Sequence, residues 1–104
     1  MSYTWPDLLT GLIEGQALER PAAQWALGEV LSGRATEMQL AALLVALRAK
    51  GETEEELLGL SLAMLDHAVD VDLNREAVDI VGTGGDRANT VNISTMAAIV
   101  AAAA

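Results

Sequence analysis

From Asp79 to Asp86 the chain reads Asp-Ile-Val-Gly-Thr-Gly-Gly-Asp, and after Arg87 it runs through Asn92-Ile93-Ser94-Thr95 into an unbroken apolar stretch that reaches Ala104. The β-branched residues from Val78 to Val81 predict a short strand. Three glycines among the four residues 82–85 predict a turn, and the Ser94-Thr95 pair predicts the opening of a helix. Glycine has no Cβ, so it reaches φ > 0 and lets a ligand approach the backbone, where successive N–H groups converge on phosphate oxygens. A helix beginning near Ser94 adds unbonded N–H groups and the positive end of its dipole. The pattern is that of an anion cradle at the end of a strand.

Gly82-Thr83-Gly84-Gly85 fits neither the dinucleotide fingerprint Gly-x-Gly-x-x-Gly nor the phosphate loop that ends in Gly-Lys-Ser/Thr. A tight strand-to-helix turn without a ligand is the alternative reading of the glycines alone. Two features favour a ligand. Asp86 follows the glycines, where a carboxylate repels a bare phosphate but can hold a hydroxyl or a Mg²⁺ that bridges phosphates. Asn92, Ser94 and Thr95 then bring an amide and two hydroxyls to the helix start.

With these residues in place, Gly82-Thr83-Gly84-Gly85-Asp86 and Asn92-Ile93-Ser94-Thr95 resemble the phosphoribosyl diphosphate signature of the anthranilate phosphoribosyltransferase family. The likeness is closer than to the related pyrimidine nucleoside phosphorylases, whose loop is usually Ser-Thr-Gly-Gly. The resemblance implies that Gly82, Thr83, Gly84 and Gly85 wrap the pyrophosphate with Asp86 beside it. It also implies that Thr90, Asn92, Ser94 and Thr95 contact phosphoribosyl diphosphate, with Ser94 as a ligand of a Mg²⁺ cofactor. Many family members carry Gly where this chain has Arg87, and Arg87 is given no role. The implied activity belongs to tryptophan biosynthesis: transfer of phosphoribosyl from the diphosphate to anthranilate, with release of pyrophosphate.

Fifteen acidic side chains against six basic ones give a net charge of -9. Nucleic-acid binders present a basic stripe that neutralises phosphates, and this balance excludes one. An anionic small ligand must then be held by backbone donors and a divalent ion. The chain has no cysteine, which excludes disulfides and thiolate metal sites. No signal-peptide pattern opens it, and no apolar run is long enough to span a bilayer, so it is expected to be soluble and cytoplasmic with no membrane partner.

The first 68 residues read as four helices. Thr4 is a predicted N-cap, with Pro6 and Asp7 in the first turn and an apolar stripe of Trp5, Leu8, Leu9, Leu12 and Ile13. A second helix begins near Arg20-Pro21 and stops at Ser32-Gly33. Thr36 with Gln39 and Thr53 with Glu56 form two capping boxes. The third helix is apolar nearly all round, which predicts central burial. Arg48 and Lys50 suit its dipole, and Gly51 its C-terminal turn. Glu52, Glu54, Glu55 and Glu56 suit the start of the fourth, where adjacent glutamates point in different directions and make a poor metal site. Both tryptophans read as packing residues. His67, the only histidine, reads as a dipole partner or packing residue near a helix end. No nucleophilic triad can be assembled around it.

The expected fold is mainly α: a helical dimerisation domain over residues 1–76, then the first strand, loop and helix of an incomplete α/β domain over residues 77–104. The single strand candidate lacks the neighbours a parallel sheet needs, and the chain stops at four alanines without a cap or breaker. The family resemblance implies a length of about three times this one, with the rest of the active site beyond Ala104. The 104 residues alone are therefore expected to be inactive. A homodimer through the helical domain is implied by the same resemblance. The alternatives are a pyrimidine nucleoside phosphorylase-like protein and a non-catalytic helical dimerisation module.

Overall fold

A computed structural model of the chain describes residues 2–72, 76–82 and 91–104. They form five helices: α1 (Trp5–Ile13), α2 (Arg20–Leu31), α3 (Glu37–Lys50), α4 (Glu54–His67) and α5 (Ile93–Ala103). The chain divides into two compact units, Met1–Asp70 and Val71–Ala104.

Local chemistry explains where the helices of the first unit begin. The Thr4 hydroxyl accepts from the Asp7 N–H, and Pro6 sits in the first turn, where a missing N–H costs nothing. Both capping boxes close. Thr36 accepts from the Gln39 N–H at 3.2 Å while the Thr36 N–H donates to Gln39 Oε1 at 2.8 Å. Thr53 and Glu56 make the same exchange at 3.3 and 2.8 Å. At the other ends, Gly33 (φ 73°) and Gly51 (φ 88°) take the left-handed backbone that stops α2 and α3.

The helices pair by residue size. α1 packs on α3 through Leu8, Leu12, Leu43 and Leu47. α2 packs on α4 through small residues, with Ala23, Ala26, Gly59 and Ala63 all buried. A Cβ on Gly59 would stand 2.4 Å from the Arg20 carbonyl oxygen and 2.8 Å from the Ala23 Cβ, so the backbones meet closely there. Tyr3 and Trp5 lean on Trp25 with ring centroids 5.9 and 5.5 Å away, which closes the N-terminus over α2. These rings pack against the core, as read from the sequence.

The expected central burial of α3 does not hold. Leu43 and Leu47 are buried, but Met38, Leu44 and Val45 stay 81, 57 and 68% exposed. Composition set the apolar surface of this helix, yet α1 is its main neighbour among the described elements, so only part of that surface is buried.

Glu56 is the one charged residue of the described chain that is fully buried. One carboxylate oxygen accepts from the Leu18 N–H at 2.8 Å; the other accepts from the Lys50 ammonium at 2.9 Å and the Thr53 N–H at 2.8 Å. Lys50 also donates to the Gly51 carbonyl at 2.7 Å. The carboxylate thereby ties the α1–α2 connection to the junction of α3 and α4. Its role exceeds the capping box expected of it, and Lys50 is a buried ion-pair partner rather than only a dipole partner. By contrast, the Arg20–Glu55 and Arg34–Glu29 pairs are exposed. Exposed pairs of this kind add little to stability.

In the second unit, residues 76–82 belong to no helix or strand, so the strand expected from Val78 to Val81 is not formed among the described residues. α5 carries no buried residue.

Candidate functional site

The described part of the cradle consists of Gly82 and the first turn of α5. A Cβ placed on Gly82 would lie 3.4 Å from Ser94 Oγ, so the entrance to the glycine loop and the helix start are in contact range. Two residues separated by eleven others are brought together here, and one of them is a glycine that leaves the Ser94 hydroxyl uncrowded.

The helix starts beside Ser94, as the sequence pattern suggested. Its first residue is Ile93, and Asn92 is the N-cap, with its Oδ1 accepting from the Thr95 N–H at 3.1 Å. Ser94 and Thr95 therefore stand inside the first turn, where N–H groups point outward along the axis. Asn92 is read from the family likeness as a ligand contact, but its carbonyl oxygen is already committed to the helix, which leaves its amide NH₂ as the outward group. The other expected site residues, Thr83, Gly84, Gly85, Asp86 and Thr90, lie outside the described residues, as does Arg87.

The donor set bears on what ion the site can take. Among the described residues, no group of three or more His, Cys, Asp or Glu side chains stands ready to hold a metal. A preformed all-protein cage is thus not what these residues provide. Mg²⁺ does not need one, because it keeps several waters and is commonly bound by one or two protein oxygens plus substrate phosphates. The Ser94 hydroxyl is a hard oxygen donor of the type such an ion accepts.

The structure also settles what His67 cannot do. Its Nε2 lies 3.1 Å from Ser32 Oγ, which superficially resembles a nucleophile and base. The Ser32 hydroxyl, however, donates to the Gly28 carbonyl at 2.7 Å, and the two residues sit at the C-terminal ends of α2 and α4. Carbonyl oxygens, not N–H groups, face outward at a helix C-terminus, so the backbone there offers no oxyanion donors. No described helix is long and apolar enough to cross a membrane.

Comparison with known proteins agrees with this division of the chain. Residues 6–68 match the helical bundle domain of a glycosyl transferase family, and residues 74–104 match the a/b domain of the same family. Curated relatives named anthranilate phosphoribosyltransferase include that of Arthrobacter sp. (strain FB24), 56% identical over 97% of this chain and 29% of its own length. The Thermobifida fusca (strain YX) protein is 52% identical over the same shares. That of Acidothermus cellulolyticus (strain ATCC 43068 / DSM 8971 / 11B) is 57% identical over 96% of this chain and 28% of its own length. The chain thus spans less than a third of the length of these relatives. The two matches, over residues 6–68 and 74–104, place the chain in the glycosyl transferase family whose helical bundle and a/b domains they are.

Proposed function

We propose that this chain is the helical domain and phosphate-binding edge of an anthranilate phosphoribosyltransferase, and that the stretch from Gly82 to Thr95 binds phosphoribosyl diphosphate. The observation that carries the proposal is the proximity of Gly82 to Ser94, which puts a Cβ-free backbone position near a hydroxyl in the first turn of a helix. Gly82, Thr83, Gly84 and Gly85 would enclose the pyrophosphate, with Asp86, Thr90, Asn92 and Thr95 around it. Ser94 would hold Mg²⁺, which when bound offsets the charge of the leaving pyrophosphate.

In a protein of the relatives' length, the anthranilate amine displaces pyrophosphate from the ribose C1. The new C–N bond forms as the C–O bond breaks, and the amine loses a proton. This chain's contribution to the rate is orientation of the diphosphate and electrostatic support of its charge. Anthranilate contacts are assigned to none of these residues. The 104-residue chain is accordingly expected to give no anthranilate-dependent release of pyrophosphate. The assay is the pure chain with both substrates and Mg²⁺, and sustained turnover would overturn this division of labour.

The proposal extends to a homodimer through the helical domain. An open groove of about 570 Å³ runs between α1 and α3, lined by Leu9, Ile13, Ala42, Val45 and Ala49. Ile13 at 79% exposure and Val45 at 68% leave on this face the kind of apolar surface that a twofold interface buries. Light scattering on the eluting chain is expected to give twice the 10.9 kDa chain mass. A mass of one chain at high concentration would remove the dimer from the account.

A further inference from the structure

We infer that Glu56 is the positioning residue of the α1–α3 groove, holding its two walls at the spacing that a second copy of this chain requires; the inference rests on the proposed homodimer. The groove lies along the C-terminal halves of both helices, with Leu9, Ile13 and Gly15 on the α1 side and Val45, Ala49 and Lys50 on the α3 side. Glu56 belongs to α4 and lines none of it. Its carboxylate nevertheless fastens both walls. One oxygen accepts from the Leu18 N–H at 2.8 Å, in the connection that follows α1. The other accepts at 2.9 Å from the ammonium of Lys50, the last residue of α3.

Apolar packing alone does not fix that spacing. α1 meets α3 through Leu8 and Leu12 against Leu43 and Leu47, and apolar contact is non-directional, so it favours closeness without setting a distance. Charge-assisted hydrogen bonds are short and directional, and they set one. The Glu56 side chain is fully buried and that of Lys50 is 8% exposed, so water competes little for these bonds. Lys50 is also the only charged residue that lines the groove. Its ammonium is bonded to Glu56 and, at 2.7 Å, to the Gly51 carbonyl. Released from Glu56, it would bring a mobile charge to an otherwise apolar wall, and a second copy would have to desolvate it.

A dilution series of the 104-residue chain in the analytical ultracentrifuge tests this. In Glu56→Asp the charge is kept, but the carboxylate is drawn back by one methylene and cannot reach Leu18 and Lys50 together. In Lys50→Met with Glu56→Leu the fastening is gone while the groove becomes more apolar. Both variants are expected to pair about tenfold more weakly than the native chain, as when about a tenth of the chains hold the competent spacing. Helical circular dichroism is expected to stay native in both. Glu55→Gln, which removes an exposed carboxylate from the same helix turn, is expected to pair like the native chain. Apolarity alone would make the double variant pair more tightly. A merely structural role would lower the melting temperature and leave the association of the folded chain unchanged. Variants that pair as tightly as the native chain overturn the role of Glu56 and leave the homodimer standing. A native chain of single mass at every concentration overturns the homodimer, and this inference with it.

Discussion

Glu56→Gln is expected to cost the helical unit about 3–5 kcal/mol, read as a lower urea midpoint with an unchanged slope. Glutamine keeps the shape but removes the charge, so the Lys50 ammonium stays buried without its counter-ion. Its NH₂ must also face one of the donors that the carboxylate now satisfies: Leu18 N–H on one side, or Lys50 and Thr53 N–H on the other. A unit of this size has a total stability of roughly 4–10 kcal/mol, so this one change removes much of it. Replacing the pair together, as Lys50→Met with Glu56→Leu, separates two contributions. An isolated buried ion pair can often be exchanged for apolar residues at little cost. Here the Leu18 and Thr53 N–H groups would both lose their acceptor, and a deficit of about 1–3 kcal/mol is expected to remain.

The same carboxylate sets an acid limit. Burial pushes the Glu56 carboxyl upward, and the bonds from Leu18, Lys50 and Thr53 outweigh it and hold the group below its ordinary value of 4.5. A carboxyl that gives up its proton more readily when folded stabilises fully above the unfolded value. That stabilisation is lost as pH falls through the folded value. Stability measured from neutral pH downward is expected to be flat with respect to this group until about pH 5 and then to decline. In Glu56→Gln this part of the acid slope is absent.

Gly59→Ala is expected to destabilise the chain by about 2 kcal/mol, although alanine is the better helix former by about 1 kcal/mol. The added methyl would meet the Arg20 carbonyl oxygen at 2.4 Å, the Ala23 Cβ at 2.8 Å and the Gln24 nitrogen at 3.1 Å. Two of those atoms are backbone, so α2 and α4 have to move apart as whole helices, opening the contact among Ala23, Ala26 and Ala63. Gly28→Ala is the internal control. Its nearest neighbour is a ring atom at an ordinary 3.8 Å, so propensity decides and the sign is reversed, with a gain of some 0.5–1 kcal/mol. Thermal or urea unfolding of the two variants checks both signs, and a stabilised Gly59→Ala would mean that the helices cross elsewhere.

What could be read in the sequence follows from how far the relevant contacts reach. The four helices of the bundle were legible because Thr4, Thr36, Thr53, Gly33 and Gly51 act within three or four residues of themselves. The tie from Glu56 to Leu18 was not, because 38 residues intervene and nothing in a capping box marks its glutamate for burial. The pairing of α2 with α4 was hidden for a related reason. Gly59, Ala23 and Ala63 look unremarkable one at a time, and only their juxtaposition shows that the two backbones meet. The reading of α3 erred in the opposite direction, because an all-round apolar composition records what a helix can bury and not which neighbours are present. At the cradle, the helix start was visible in the sequence, while most of the glycine loop lies outside the described residues. That Asn92 caps α5, which then begins at Ile93, depends on a hydrogen bond to Thr95, and amide side chains serve caps and ligands equally well.

The central functional claim is that the stretch from Gly82 to Thr95 binds a diphosphate with magnesium. Calorimetric titration of phosphoribosyl diphosphate with Mg²⁺ into this chain, beside a Ser94→Ala variant, tests it most directly. Saturable heat that requires magnesium and is weakened at least tenfold in Ser94→Ala is the predicted result. Binding that ignores both magnesium and the Ser94 hydroxyl, or no binding by the native chain, would contradict it.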